Sequence, residues 1–230
     1  MTLTIKALDG QGSFSAYVAR PTREPRAAIV VIQEIFGVNP GIRQKCDKLA
    51  TDGYLAVAPD LFWRLQPGIE LDPDVPEQMQ QAFDWMGRFD QDAGIRDIEA
   101  TIRAARAEIG GGKVGCVGYC LGGRLAYMTA ARTDVDASVG YYAVGIDGLL
   151  GEKHAIAHPL LLHIAGADRF VSPEVQKTMH EGLDDHPKVT LVDYPGEDHG
   201  FATEMGKRRS PDSATRADAV TRQFFADNLG

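Results

Sequence analysis

The feature that most constrains this chain is a succession of short apolar runs, each too brief for a helix and most followed by a stretch with helical spacing. AAIVVI at Ala27–Ile32, YLAVAPDL at Tyr54–Leu61, KVGCVGY at Lys113–Tyr119, the run Ala137–Val144, PLLLHIAG at Pro159–Gly166 and VTLVDY at Val189–Tyr194 form this series. Near-continuous apolarity rich in β-branched residues marks strands covered on both faces. Helical spacing predicts helices from about Arg43 to Asp52, across Ile95, Ile98, Ile102, Ala105 and Ile109, from Leu121 onward, from about Pro173, and up to Asn228. Such alternation predicts an α/β fold, a mostly parallel central sheet with helices on both faces. Leu3–Leu8 and Ser13–Ala19, joined by the turn-forming Asp9-Gly10-Gln11-Gly12, predict an antiparallel start. A chain of 230 residues, 44% hydrophobic, can bury the core of one domain spanning residues 1–230. The Pro- and Asp-rich stretch Gln66–Glu77 is long for a plain connection and is expected to form part of a lid.

Charge and cysteine usage narrow the function classes. A net charge of −8 disfavours nonspecific attraction to nucleic-acid phosphates. Three cysteines cannot build a disulfide framework and suit a reducing cytoplasm. The opening MTLTIKALDGQGS has no apolar signal core, and no apolar run approaches a membrane span. The expected partner is a small molecule, with neither nucleic acid nor membrane involved; oligomeric state is left open.

Cys120 is the candidate for chemistry. It lies in GYCLGG, at the join between a strand ending at Tyr119 and a helix beginning at Leu121. Gly-x-Cys-x-Gly at a strand-to-helix turn has the form of a nucleophile elbow, in which small residues flank a strained, closely packed position. An acid and a base would follow it from loops after later strands. Asp168 follows PLLLHIAG and His199 follows VTLVDYPGED, so the order is Cys120, Asp168, His199. All three stand beyond the carboxyl ends of strands, where sites in parallel sheets form. Cys120 would attack a carbonyl, His199 would transfer protons, and Asp168 would orient and support the imidazole. Asp193 sits inside a strand pattern, and Asp198 is too close in sequence to His199 for the usual arrangement. His163 reads as a hydrogen-bonded core residue. Cys116 and Cys120 have no matching Cys/His pair, so no metal site or other cofactor is expected.

These residues resemble the dienelactone hydrolase family of the α/β-hydrolase fold. The resemblance is carried by QEIFGVN at Gln33–Asn39, APDL at Ala58–Leu61, GYCLGG at Gly118–Gly123, GYY at Gly140–Tyr142, and the segments holding Asp168 and His199-Gly200-Phe201. It implies a lactone or small-ester hydrolase working through a cysteine acyl-enzyme. It also implies that Glu34 lies beside the nucleophile and that the N–H groups of Ile35 and Leu121 form the oxyanion hole. A buried carboxylate beside a thiol opposes thiolate formation, whereas a helix N-terminus and an imidazolium favour it. The resemblance resolves this conflict by letting substrate displace Glu34; a simple Glu34–arginine pair is the alternative.

The substrate pocket departs from the family pattern. Family members acting on carboxylated lactones carry an arginine four residues after the histidine, where this chain has Thr203. Met79, Phe83 and Met86 stand where arginine, tyrosine and tryptophan are expected, and Phe36 completes the predicted substrate-binding set. The catalytic residues match and the anion clamp does not, which predicts a preference for neutral lactones or esters. A broader esterase or thioesterase, or a noncatalytic binding protein, are the rival readings. A basic residue arriving from another loop, such as Arg64, Arg88, Arg169 or the Lys207-Arg208-Arg209 cluster, would restore the clamp.

Overall fold

The computed structural model describes all 230 residues. Eight strands form one sheet in the order β1 (Thr2–Lys6), β2 (Ser13–Ala19), β4 (Leu55–Pro59), β3 (Ala28–Ile32), β5 (Val114–Tyr119), β6 (Ala137–Tyr141), β7 (Leu160–Ala165), β8 (Val189–Tyr194). The first two pair antiparallel, as the DGQG turn predicts, and β2 meets β4 antiparallel. From β4 to β8 every pairing is parallel.

Successive side chains of a strand point to opposite faces, so each apolar run feeds two cores. In β3, Val30 and Ile32 enter one core while Ile29 and Val31 enter the other. Helices α3 (Gln91–Glu108), α4 (Leu121–Arg132) and α5 (Pro173–Leu183) cover the first face through Ile98, Leu125 and Leu183. Helices α1 (Pro40–Thr51) and α6 (Pro211–Leu229) cover the second through Ile42, Leu49 and Phe225. Helix α1 starts three residues earlier than its apolar spacing predicts, because Asn39 caps it by accepting from the Ile42 N–H and Pro40 occupies its first turn.

Two departures from the sequence reading bear on the site. The run Ala137–Val144 stops being a strand at Tyr141, because Tyr142 takes a left-handed φ of 38° that no strand accommodates. The stretch Gln66–Glu77 is largely turns, and a further helix, α2 (Pro76–Arg88), carries Met79, Phe83 and Met86 over the sheet's carboxyl edge. Only Ala82 and Trp85 of α2 are buried. None of the helices is long and apolar enough to cross a membrane.

Candidate active site

The order of strands around β3 creates the site. β4 lies on one side of β3 and β5 on the other, so the connections from β3 and β5 leave in different directions and open a crevice at their carboxyl ends. Ile32 pairs with Gly118, which sets Glu34 and Ile35 beside Cys120 and Leu121 as the two chains emerge. Close packing at this join explains the glycines. A Cβ on Gly122 would lie 2.4 Å from the Ile32 carbonyl oxygen, and one on Gly118 would lie 1.9 Å from that of Gly122.

Cys120 has φ 57° and ψ −115°, a conformation that is strained for a residue with a side chain and costs about 1–3 kcal/mol. Its N–H donates to the Tyr141 carbonyl at 3.1 Å, and its carbonyl accepts from Gly123 and Arg124 in the first turn of α4. The thiol thereby stands half-buried on the floor of a cavity of about 320 Å³. His199 reaches it from the segment after β8. The His199 Nδ1–H donates to Asp168 Oδ2 at 2.8 Å, and the imidazole lines the cavity together with Cys120. Asp168 is held in turn by the Phe170 N–H at 2.8 Å. Burial disfavours a charged imidazole here, but the influence of Cys120 and the hydrogen bond that the ring donates to Asp168 outweigh it and raise the His199 pKa to about 10. Phe170 and Tyr142 stand edge-on to the ring at centroid separations of 4.9 and 5.0 Å.

Glu34 lines the same cavity and is buried. Burial pushes its pKa up, opposed by the charges of His199, Lys45 and Arg208. No ion pair joins it to an arginine. Neither the Ile35 nor the Leu121 N–H has an acceptor in the protein, and both residues face the cavity, so two orphan donors stand beside the sulfur.

Phe36, Met79, Phe83 and Met86 all line the cavity, as the sequence predicts. Thr203 does not. It lies behind Glu34, on a void of about 10 Å³ shared with Arg208, and its hydroxyl donates to the Met205 carbonyl. The basic residues weighed as replacements separate cleanly. Arg64 is bound to Asp97 and Asp9, Arg88 lies over the Trp85 ring, Arg169 pairs with Asp198, and Arg209 pairs with Glu204. Arg208 lines the cavity, its stem packed 3.2 Å from where a Gly200 Cβ would be. Sequence reasoning missed Arg124, Gln91, Val144 and Phe170, which complete the lining. Helical spacing offered a signal for one of them: Arg124 is three residues after Leu121 and shares its face of α4.

Comparison with known proteins agrees over nearly the whole chain. The sequence model of the dienelactone hydrolase family matches residues 14–229. An Azospirillum brasilense protein provisionally named a carboxymethylenebutenolidase is 46% identical over 222 residues, covering 95% of each chain. The carboxymethylenebutenolidase of Pseudomonas putida is 40% identical over 225 residues, covering 97% of this chain and 95% of its own. A crystal structure of a Klebsiella pneumoniae protein provisionally assigned as a dienelactone hydrolase superposes with TM-score 0.83 at 26% identity, covering 98% of both chains. Matched in sequence from β2 to the end of α6 and in fold along almost its full length, the protein belongs to the dienelactone hydrolase family, within the α/β-hydrolase fold.

Proposed function

We propose that the protein hydrolyses a lactone or small carboxylic ester through an acyl-enzyme on Cys120, in one domain spanning residues 1–230 and in the cytoplasm. The observation that carries this reading is the meeting, on one cavity, of Cys120 at positive φ and a His199 hydrogen-bonded to the buried Asp168. The thiolate attacks the carbonyl carbon. The developing oxyanion takes the N–H groups of Ile35 and Leu121, which otherwise have no partner. His199, held charged by Asp168 and the sulfur, gives its proton to the leaving alkoxide and then takes one from the water that cleaves the thioester. Glu34 guards the thiol until substrate arrives, and the small void behind it, lined by Thr203 and Arg208, lies on the side to which it would withdraw.

The substrate class follows from the lining. Ile35, Phe36, Met79, Phe83, Met86 and Phe170 make most of the wall apolar, which suits a compact ring or short acyl chain. The missing family arginine led the sequence reading to a neutral substrate, but Arg208 brings an unpaired guanidinium to the cavity beside Glu34. The names of the relatives denote a lactone bearing a carboxymethylene group, and Arg208 is the residue that would recognise such a carboxylate here. Cys120→Ala is expected to abolish turnover of both a neutral aryl ester and its carboxylated analogue without unfolding the protein. Arg208→Gln is expected to lower kcat/KM for the carboxylated member about tenfold or more relative to the neutral one. Near-wild-type turnover by folded Cys120→Ala would reject the mechanism, and an unchanged substrate ratio in Arg208→Gln would return the neutral reading.

A further inference from the structure

Arg124 is a second cation on the cavity wall, anchored independently of Arg208. It lies four residues beyond Cys120, about 6 Å along the axis of α4 at 1.5 Å per residue. Its Nε donates to Gln91 Oε1 at 2.8 Å and its Nη1 to the Gly145 carbonyl at 2.9 Å. No carboxylate pairs with it. Glu152, the acid that feels its charge, is committed to Arg132 through two hydrogen bonds of 2.7 Å. A guanidinium carries five N–H donors in a rigid fork, and here neutral acceptors fix its plane while Nη2 has no protein partner.

The surroundings are shaped for this side chain. Gly145 has φ 76°, and a Cβ there would lie 2.2 Å from Arg124 Nη1, so a side chain at this position would displace the guanidinium from its seat. Gln91 also lines the cavity, and with its Oε1 engaged by Arg124 it has its amide N–H groups to offer. This part of the wall is therefore rich in donors. A half-buried cation without a counter-charge is unfavourable until an anion completes it.

We propose that Arg124, oriented by Gln91, is a second anion subsite, one that receives the carboxylate released from Cys120. The inference rests on Cys120 being the nucleophile of this cavity. When a carboxylated ester or lactone is cleaved, water breaks the C–S bond of the thioester, the sulfur regains its proton, and the freed acyl carbon becomes a carboxylate. The product then carries two negative groups, which Arg124 and Arg208 receive separately.

The test is inhibition of neutral aryl-ester hydrolysis by succinate, glutarate and adipate, each set against the monocarboxylate of the same chain length. In the wild type at least one diacid is expected to inhibit about tenfold or more strongly than its monoacid. Gln91→Glu keeps the hydrogen bond to Arg124 but cancels its charge, and Arg124→Gln removes the charge outright; both are expected to erase the advantage of the diacid. A purely structural Arg124, tying α3 to α4, would survive Gln91→Glu with that advantage intact. The proposal is overturned if no diacid is favoured in the wild type, or if the advantage persists in either variant. Should Arg124→Gln not fold, Gln91→Glu decides alone. Loss of turnover in Cys120→Ala is read separately, so failure of the catalytic reading is told apart from failure of the subsite.

Discussion

At Cys120 a strained backbone, the start of a helix and a buried imidazole converge on one sulfur, and Glu34 stands against them. The carboxyl of Glu34 costs stability when ionised, because burial raises its pKa above the ordinary 4.5 despite three nearby cations. A folded pKa above the unfolded one means that stability is fully present below about 4.5 and is lost as pH rises through the folded value. Glu34→Gln, neutral at every pH, is therefore expected to melt higher than the wild type at pH 7, with the difference shrinking as pH falls toward 4.5. Thermal melts at the two pH values check this. A variant that melts lower at pH 7 would show that the cations more than offset burial. The meeting of residues at this scale was readable in the chain: G-x-C-x-G, the order Cys120, Asp168, His199, and the aliphatic and aromatic wall. What was not readable is which arginine points inward, since Arg64, Arg88, Arg169, Arg208 and Arg209 look alike in sequence and only their acidic or aromatic partners separate them.

Among the elements, β3, β5 and α4 form the rigid part of the site and α2 the loose part. Gly122 lets α4 approach the end of β3 within contact of two carbonyls, those of Ile32 and Gln33. Gly122→Ala must push the elbow off that seat, and a shift of about 1 Å at a reacting group is worth about a hundredfold in rate. Activity in Gly122→Ala is expected to fall by that order, measured as kcat/KM on a folded sample. Helix α2 is anchored by Ala82 and Trp85 while Phe83 and Met86 remain exposed at the cavity wall. Its amides are expected to exchange with deuterium faster than those of α3, which buries nine residues; equal protection would argue against a mobile cover. The same physics explains what the sequence hid. Strands were legible because both faces are buried and the runs are continuously apolar. Helix α2 was not, because its apolar residues serve the cavity instead of the core, and β6 ran long because nothing in its composition announces the turn at Tyr142.

Across the whole molecule, a buried ionic cluster ties distant parts of the chain together behind the site. Lys45 of α1 lies 2.9 Å from Glu204 and 3.2 Å from Asp218 of α6, and Glu204 also receives Lys48 and Arg209. Asp218 continues to Tyr141, which meets Thr221 and through it His163, the core histidine expected from the sequence. Glu204 belongs to the segment that carries both His199 and Arg208, so the cluster holds that imidazole and that cation against the sheet. Removing one partner of a buried pair typically costs about 3–5 kcal/mol. Lys45→Met is expected to lose stability of that order in denaturant titration. A loss of less than about 1 kcal/mol would mean that the remaining charges rearrange without cost.

The most direct test of the catalytic account is the mass of the protein during a single turnover of an activated aryl ester, quenched in acid and digested. The peptide containing Cys120 is predicted to carry the acyl group and to lose it at the rate of overall turnover. Turnover with the acyl group found on another residue, while the Cys120 peptide stays unmodified, would contradict it.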